Sequence, residues 1–185
     1  LSGSSFFRCS NLVELQLNEG LRIIGGSAFE RCTALRSVTL PSTVTELGGW
    51  AFCGCSNLAE VQLNEGLKVI GEQAFEDCTS LRSIAVPSSV TELGFWTFRG
   101  CSSLIDLRLN EGNEGLQVIG DFAFSDCTAL QSVTLPSNVT VLDNAAFWCC
   151  RNLSEVILLG GERLLNQEFL TCGVFSEEKG LLNRG

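Results

Sequence analysis

Apolar residues recur along this chain at fixed offsets from a Cys-x-x-Leu anchor, present at Cys9, Cys32, Cys55, Cys78, Cys101, Cys127 and Cys150. Successive anchors lie 23 residues apart, except Cys101 and Cys127, which are 26 apart. A duplicated triplet, Asn110-Glu111-Gly112 followed by Asn113-Glu114-Gly115, supplies the extra three. Each anchor Leu is followed by an apolar residue three later and another two after that, as in Leu35, Val38, Leu40 and in Leu104, Leu107, Leu109. A turn, a second apolar pair such as Leu67 and Ile70, a Gly and a Phe three residues before the next Cys complete the unit. The Phe is present in every copy, at Phe6, Phe29, Phe52, Phe75, Phe98, Phe124 and Phe147. A period of this size marks a solenoid, because one unit cannot bury its apolar face alone and must stack on the next.

The pattern predicts the elements of each unit. The Leu-x-x-Val-x-Leu segment alternates with period two and reads as a short strand, with Val38 and Leu40 inward and Ser37 and Thr39 outward. Stacked copies form a parallel ladder at ~4.8 Å per rung, so seven rungs span roughly 30 Å. The following VTELG or LKVIG segment is too short for a helix and carries β-branched residues, which predicts a second, two- or three-residue strand. Gly25, Gly48, Gly71, Gly94 and Gly120 close it, at a position expected to need positive φ; Asp143 stands there in one copy. The Ala-Phe-x-x-Cys segment is expected to be one helical or 3₁₀ turn that drops Phe and Cys into the core. Odd units carry an Asn-Glu-Gly turn and even ones Pro-Ser, so the underlying duplication spans 46 residues. Beyond Leu158 the pattern decays: Leu164, Phe169, Cys172 and Phe175 fit a shortened unit, and Glu178 falls where a core Val belongs. The solenoid is therefore expected over residues 1–175, with 176–185 a tail or the start of a following segment.

The run Leu35, Val38, Leu40, Pro41, then Leu47-Gly48, then Ala51, Phe52, Cys55 resembles the BspA-like subclass of leucine-rich repeats. Its unit reads Leu-x-x-Leu-x-Leu-Pro, Ile-Gly, Ala-Phe-x-x-Cys. The likeness covers roughly residues 1–175. Thr97 departs from the small Ala, Asp143 from the Gly, and odd units carry Asn for Pro. The resemblance implies a mainly β, right-handed superhelix with the strand ladder on its concave face, and short second strands and one-turn helical or 3₁₀ segments on the convex side. For function it implies only adhesion or protein recognition.

Composition narrows the partners. With 45% hydrophobic and 18% charged residues, the 185-residue chain reads as one elongated domain with a core along its length. Twelve Lys and Arg against 21 Asp and Glu leave a net charge of −9, which repels phosphate backbones and argues against nucleic acid. No apolar run approaches the ~18 residues of a membrane span. Leu1 aligns with Ile24, so the chain opens within a repeat and without a polar cap. It is read as a fragment of something longer, and the uncapped N-terminal repeat is open to association.

Of the ten cysteines, seven occupy one column and Cys172 is a degenerate eighth. Flanked by Phe and Leu columns, that position behaves as a small buried hydrophobe. Parallel Cβ vectors on stacked rungs suit disulfide geometry poorly. A reduced ladder is expected, favouring a reducing intracellular compartment, whereas Asn-x-Ser/Thr sequons at Asn138 and Asn152 point to a secreted or cell-surface alternative.

The chain has no His, which removes Ser-His-Asp and Cys-His arrangements and His metal ligands. The off-column thiols Cys53 and Cys149 pair with Cys55 and Cys150, four rungs or about 19 Å apart, too far to share one zinc. No catalytic residue, metal site or cofactor is expected. The outward strand positions form two columns: Glu14, Ser37, Glu60, Ser83, Asp106, Ser132, Glu155, and Gln16, Thr39, Gln62, Ala85, Arg108, Thr134, Ile157. Successive acids stand two rungs, ~10 Å, apart, too far to ligate one Ca²⁺ together. Alternation also keeps like charges from facing across strands. Glu14, Gln16, Glu60, Gln62, Asp106 and Arg108 are the candidate partner-binding residues, on the concave face. The rival candidate is an aromatic edge: Trp50 and Trp96 share one register position 46 residues apart, Phe122 follows one rung later, and Phe95 adjoins Trp96. The expected function is a non-enzymatic protein-recognition or scaffolding module, the alternative an architectural spacer with no ligand of its own.

Overall fold

The alternation after each anchor Leu is realised as a row of parallel strands. In the computed structural model, which describes residues 1–109, 115–143, 145–159 and 182–184, two such rows wind along a parallel-strand β-solenoid of about six turns. The first row holds β2 (Ser37–Thr39), β4 (Glu60–Gln62), β6 (Ser83–Val86), β8 (Asp106–Leu109), β10 (Ser132–Leu135) and β12 (Glu155–Leu158). The second row is made of two-residue strands: β1 (Ile23–Ile24), β3 (Glu46–Leu47), β5 (Val69–Ile70), β7 (Glu92–Leu93), β9 (Val118–Ile119) and β11 (Val141–Leu142). The first row pairs continuously from β2 to β8 and again from β10 to β12, and divides where the repeat lengthens to 26 residues. The second row divides between β5 and β7.

The register matches the columns read from the sequence: Ser37 lies beside Glu60, Glu60 beside Ser83, Ser83 beside Asp106, and Ser132 beside Glu155. Glu14 and Gln16 lie outside any strand. The duplicated triplet falls mostly, and the degenerate unit at Leu164, Phe169, Cys172 and Phe175 wholly, outside the described residues. So does the domain boundary at 175. Within the stretch expected as a tail, β13 (Leu182–Arg184) pairs in parallel with β12.

The core is a stack of columns. The rings of Phe6, Phe29, Phe52, Phe75, Phe98, Phe124 and Phe147 lie nearly parallel, with successive centroids 5.2 to 5.5 Å apart. The step from Phe98 to Phe124 is 5.3 Å, so the three extra residues of that repeat leave the stack undisturbed. Fully burying each such ring contributes roughly 1.5–3 kcal/mol. Beside the rings stand the Ala column, the anchor Cys and the anchor Leu, all fully buried from Cys32 to Cys127. Thr97 takes the Ala position at no hydrogen-bonding cost, because its hydroxyl donates to the Gly94 carbonyl at 2.8 Å.

Two local expectations are corrected. The Ala-Phe-x-x-Cys segment is not helical, and no helix occurs among the described residues. Its N–H groups alternate in target. Those of Ala28, Glu30 and Cys32 bond to carbonyls three residues back, whereas those of Ser27, Phe29 and Arg31 reach the next rung, at Gly49, Ala51 and Cys53. Each rung is thereby clasped to its neighbour at this segment. The residues at both ends of the clasp, such as Ser27 and Arg31, adopt φ of 55° and 59°, which no right-handed helix tolerates.

The second correction concerns the Gly column. Gly25, Gly48, Gly71, Gly94 and Gly120 do not have positive φ; that conformation falls two residues later, at Ser27, Trp50, Gln73, Trp96 and Phe122. Gly25, Gly48 and Gly71 are needed for close approach of the neighbouring backbone. A Cβ on Gly48 would stand 2.5 Å from the Gly26 nitrogen and 2.8 Å from the Gly25 carbonyl carbon.

Candidate functional site

The regular backbone presents the outward side chains as ordered columns on the strand face. Glu60, Gln62 and Arg108 are exposed on it, Asp106 is half-buried, and Glu14 and Gln16 are exposed on the first rung, outside any strand. The face is not uniformly acidic. Arg108 folds back onto Asp106 of its own strand, its Nη2 2.8 Å from Oδ2 and its Nε 3.2 Å from Oδ1. That two-point contact and the Asp106 charge raise the Arg108 pKa further, and they locally neutralise the carboxylate. Glu60 has no ion-pair partner among the described residues. Thr39 Oγ1 and Gln62 Oε1 approach to 3.3 Å, linking two rungs of the second column.

A shallow groove of about 530 Å³ lies at the upstream edge of these strands, lined in part by Arg36, Asn57, Ala59, Glu60 and Arg82. The sequence reading missed it. The signal was present: the position after each anchor Leu carries Arg in two successive even units, Arg36 and Arg82, with the small Ala59 between them.

The aromatic edge separates into two parts. Trp50 is 43% exposed and makes no ring contact among the described residues. Two rungs on, Trp96 is sandwiched: the Phe95 ring stacks on it at 4.4 Å and 20°, and the Arg99 guanidinium carbon lies 4.5 Å from its centroid. Phe122 meets Phe95 edge-on at 6.3 Å. Arg99 in turn holds the buried Glu76 at 2.7 Å, and Cys53 Sγ lies 3.9 Å from the other Glu76 oxygen. A buried carboxylate requires such a partner. Trp96 therefore belongs to the chain that covers Glu76, and its ring faces are already occupied.

The thiols have a structural place. Cys32, Cys55, Cys78, Cys101, Cys127 and Cys150 each donate to the carbonyl of the Phe one rung earlier, at 3.1 to 3.3 Å. All nine described cysteines are free. Among the described residues no helix is long and apolar enough to cross a membrane, and no three Cys, Asp or Glu side chains converge to hold a metal ion.

Stacked 23-residue rungs, a Phe–Cys core and a parallel strand row make up one repeat unit, and a family model of that unit decides the relationship. The model for the BspA type leucine rich repeat region matches residues 1–105 and 106–176, in six copies. The chain belongs to this family. Leucine-rich repeat proteins are generally non-enzymatic, and the repeat commonly mediates protein interaction. Among solved structures, a leucine-rich repeat protein from Bacteroides ovatus is 23% identical with a TM-score of 0.61, over 84% of this chain and 51% of that one. The T. pallidum leucine rich repeat protein is 34% identical with a TM-score of 0.51, over 80% and 57%. The pneumococcal vaccine antigen PcpA is 25% identical with a TM-score of 0.61, over 69% and 32%. The chain thus spans about half the length of the first two and a third of PcpA. No curated protein sequence matches it.

Proposed function

We propose that this chain is a non-enzymatic recognition module that binds a protein partner on its strand face. The observation that carries the reading is the register. Residues such as Ser37, Glu60, Ser83 and Asp106 are held side by side by backbone pairing, so binding needs little additional ordering of the module. Glu60 and Glu155 favour a basic or hydrogen-bonding partner, released by salt because exposed charges are screened within ~8 Å at physiological ionic strength. The free, carbonyl-bonded thiols favour a reducing compartment.

A displayed random-peptide library panned on the immobilised chain tests the reading. Peptides recovered should lose binding to the E60K/D106K double variant and keep it on W50A/W96A. The reverse sensitivity would move the site to the aromatic edge. Recovery of no binder, or indifference to both variants, would leave the chain as an architectural spacer.

A further inference from the structure

From the groove at the upstream edge of the strand face we infer a binding site for an acidic side chain of an extended protein segment, clamped between Arg36 and Arg82 above Ala59. The inference rests on the strand-face reading and names the chemistry of one subsite there.

The site is built by a single hydrogen-bonded column. The amide of Arg36 donates to Val13 at 3.4 Å, Ala59 to Arg36 at 2.9 Å, Arg82 to Ala59 at 3.4 Å, and Ile105 to Arg82 at 3.0 Å. Five residues from five rungs are thus held in line, about 4.8 Å apart, which puts the Cα atoms of Arg36 and Arg82 about 10 Å apart. Both arginines are exposed, and neither has an ion-pair partner among the described residues. This sets them apart from Arg99 and Arg108, each committed to a carboxylate of the chain. Ala59 ends at Cβ, so the space above it is open, and two long guanidinium arms reach it from either side. A carboxylate placed there accepts N–H donors from both arms, the planar geometry that guanidinium offers best.

The ends of the column add a second requirement. Val13 is 43% and Ile105 60% exposed, the latter the highest value among the exposed large apolar side chains. Each lies two rungs, about 10 Å, from Ala59. A segment in the polyproline II conformation advances about 3.1 Å per residue and returns to the same face every third residue, so the apolar residues stand three positions before and after the central acid, with two residues between. The segment recognised has the form apolar-x-x-acid-x-x-apolar and lies along the solenoid axis. Glu60 lines the same groove; it opposes a carboxylate presented without a basic neighbour and pairs with a basic residue where the partner carries one as well.

The test uses the 185-residue chain and the peptide acetyl-Leu-Gly-Gly-Glu-Gly-Gly-Leu-amide, followed by NMR of the arginine Nε–H groups and backbone amides. Arg36 and Arg82 Nε–H resonances should shift together with the Ala59 and Ile105 amides. The matching Gln peptide should bind ~tenfold or more weakly, as the loss of a charge-assisted contact implies. Arg36→Gln and Arg82→Gln should each weaken the Glu peptide similarly, and Glu60→Gln should tighten it. Equal shifts from the Gln peptide, equal shifts at Arg22 and Arg151, or loss of binding in Glu60→Gln would overturn the clamp. A phosphoserine peptide that bound while the Glu peptide did not would also overturn it, in favour of phosphate. The titration reads the guanidinium groups directly, so it can fail while library peptides still depend on Glu60 and Asp106; that result removes the clamp and leaves the strand-face reading standing.

Discussion

The thiol of Cys55 donates to the carbonyl oxygen of Phe29, 3.1 Å away on the preceding rung. The same oxygen accepts the amide of Cys32, also at 3.1 Å. Each Phe carbonyl from Phe6 to Phe124 thereby serves two cysteines, its own through the backbone and the next rung's through sulfur. A residue at this position must be small and apolar yet carry a donor, which is what Cys supplies.

Thiol reactivity should follow burial and charge rather than column membership. By column membership alone Cys53 and Cys149, which lie off the column, would react first. Among the described cysteines Cys9 is the exposed one. Cys53 is half-buried, and its pKa is pushed up to about 12 by burial and then by the Glu76, Glu30 and Asp77 carboxylates. Thiolate is the reactive form, so this thiol is slow. Mass mapping after brief iodoacetamide treatment at pH 7.5 should find Cys9 modified first, Cys149 ahead of Cys53, and the column from Cys32 to Cys127 only after denaturation. Early labelling of Cys55 and Cys78 would contradict the buried ladder.

The ring stack should dominate the stability of a central rung. Phe75 has ring neighbours on both sides, Phe52 at 5.5 Å and Phe98 at 5.3 Å. Phe75→Ala should cost about 3–5 kcal/mol. Phe7, 41% exposed and outside the column, should lose far less when changed to Ala. Urea midpoints of the two variants decide between them, and equal displacement would break the assigned register.

The Gly column offers a contrast between backbone and side-chain crowding. Ala at position 48 would drive its Cβ into the backbone of Gly25 and Gly26. At Gly94 the nearest atom is Glu72 Cγ at 3.2 Å, on a flexible side chain that can move aside. Gly48→Ala should destabilise by on the order of 3 kcal/mol, and Gly94→Ala by less than about 1. If positive φ were the reason for these glycines, both would suffer alike.

Asp143 should make the protein less stable as pH rises. Burial, and then the Asp121 charge, raise its carboxyl pKa above the ordinary 3.8. The folded state therefore holds a proton that the unfolded state has released, and stability falls as pH climbs from the unfolded value through the raised one. Above that window the loss is complete. Asp143→Asn removes it, so the variant should have a higher urea midpoint than the parent at pH 7 and an equal one near pH 3. An unchanged gain at both pH values would assign the effect to something other than charge.

Much of the candidate site was legible as a list of columns. The alternation of Glu60 with Ser37 and Ser83, and the placing of Gln62 beside Thr39, needed only a count of residues. The groove was harder to see, because Arg36 and Arg82 gain meaning only when Ala59 is known to lie between them. Trp96 was misleading for the opposite reason: its place in a column says nothing of Phe95 and Arg99 on its two faces.

What the sequence by itself determined was periodic: the 23-residue rung, the inward row of Val38, Val61 and Ile84, the stacked Phe and Cys columns, and the outward row of alternating acid and Ser. Those features repeat because each rung meets a near copy of itself, so burial at one position implies burial at the next. The tertiary structure decided what depends on unlike neighbours or on backbone geometry. It placed positive φ at Trp50 rather than Gly48, replaced a helical turn with amides clasped to the next rung, buried Glu76 beneath Arg99, and left Arg36 and Arg82 without an ion-pair partner among the described residues. Each of these outcomes is set by atoms 23 residues away along the chain and about 5 Å away in space, a distance that a repeat pattern specifies but whose occupants only the folded stack brings together.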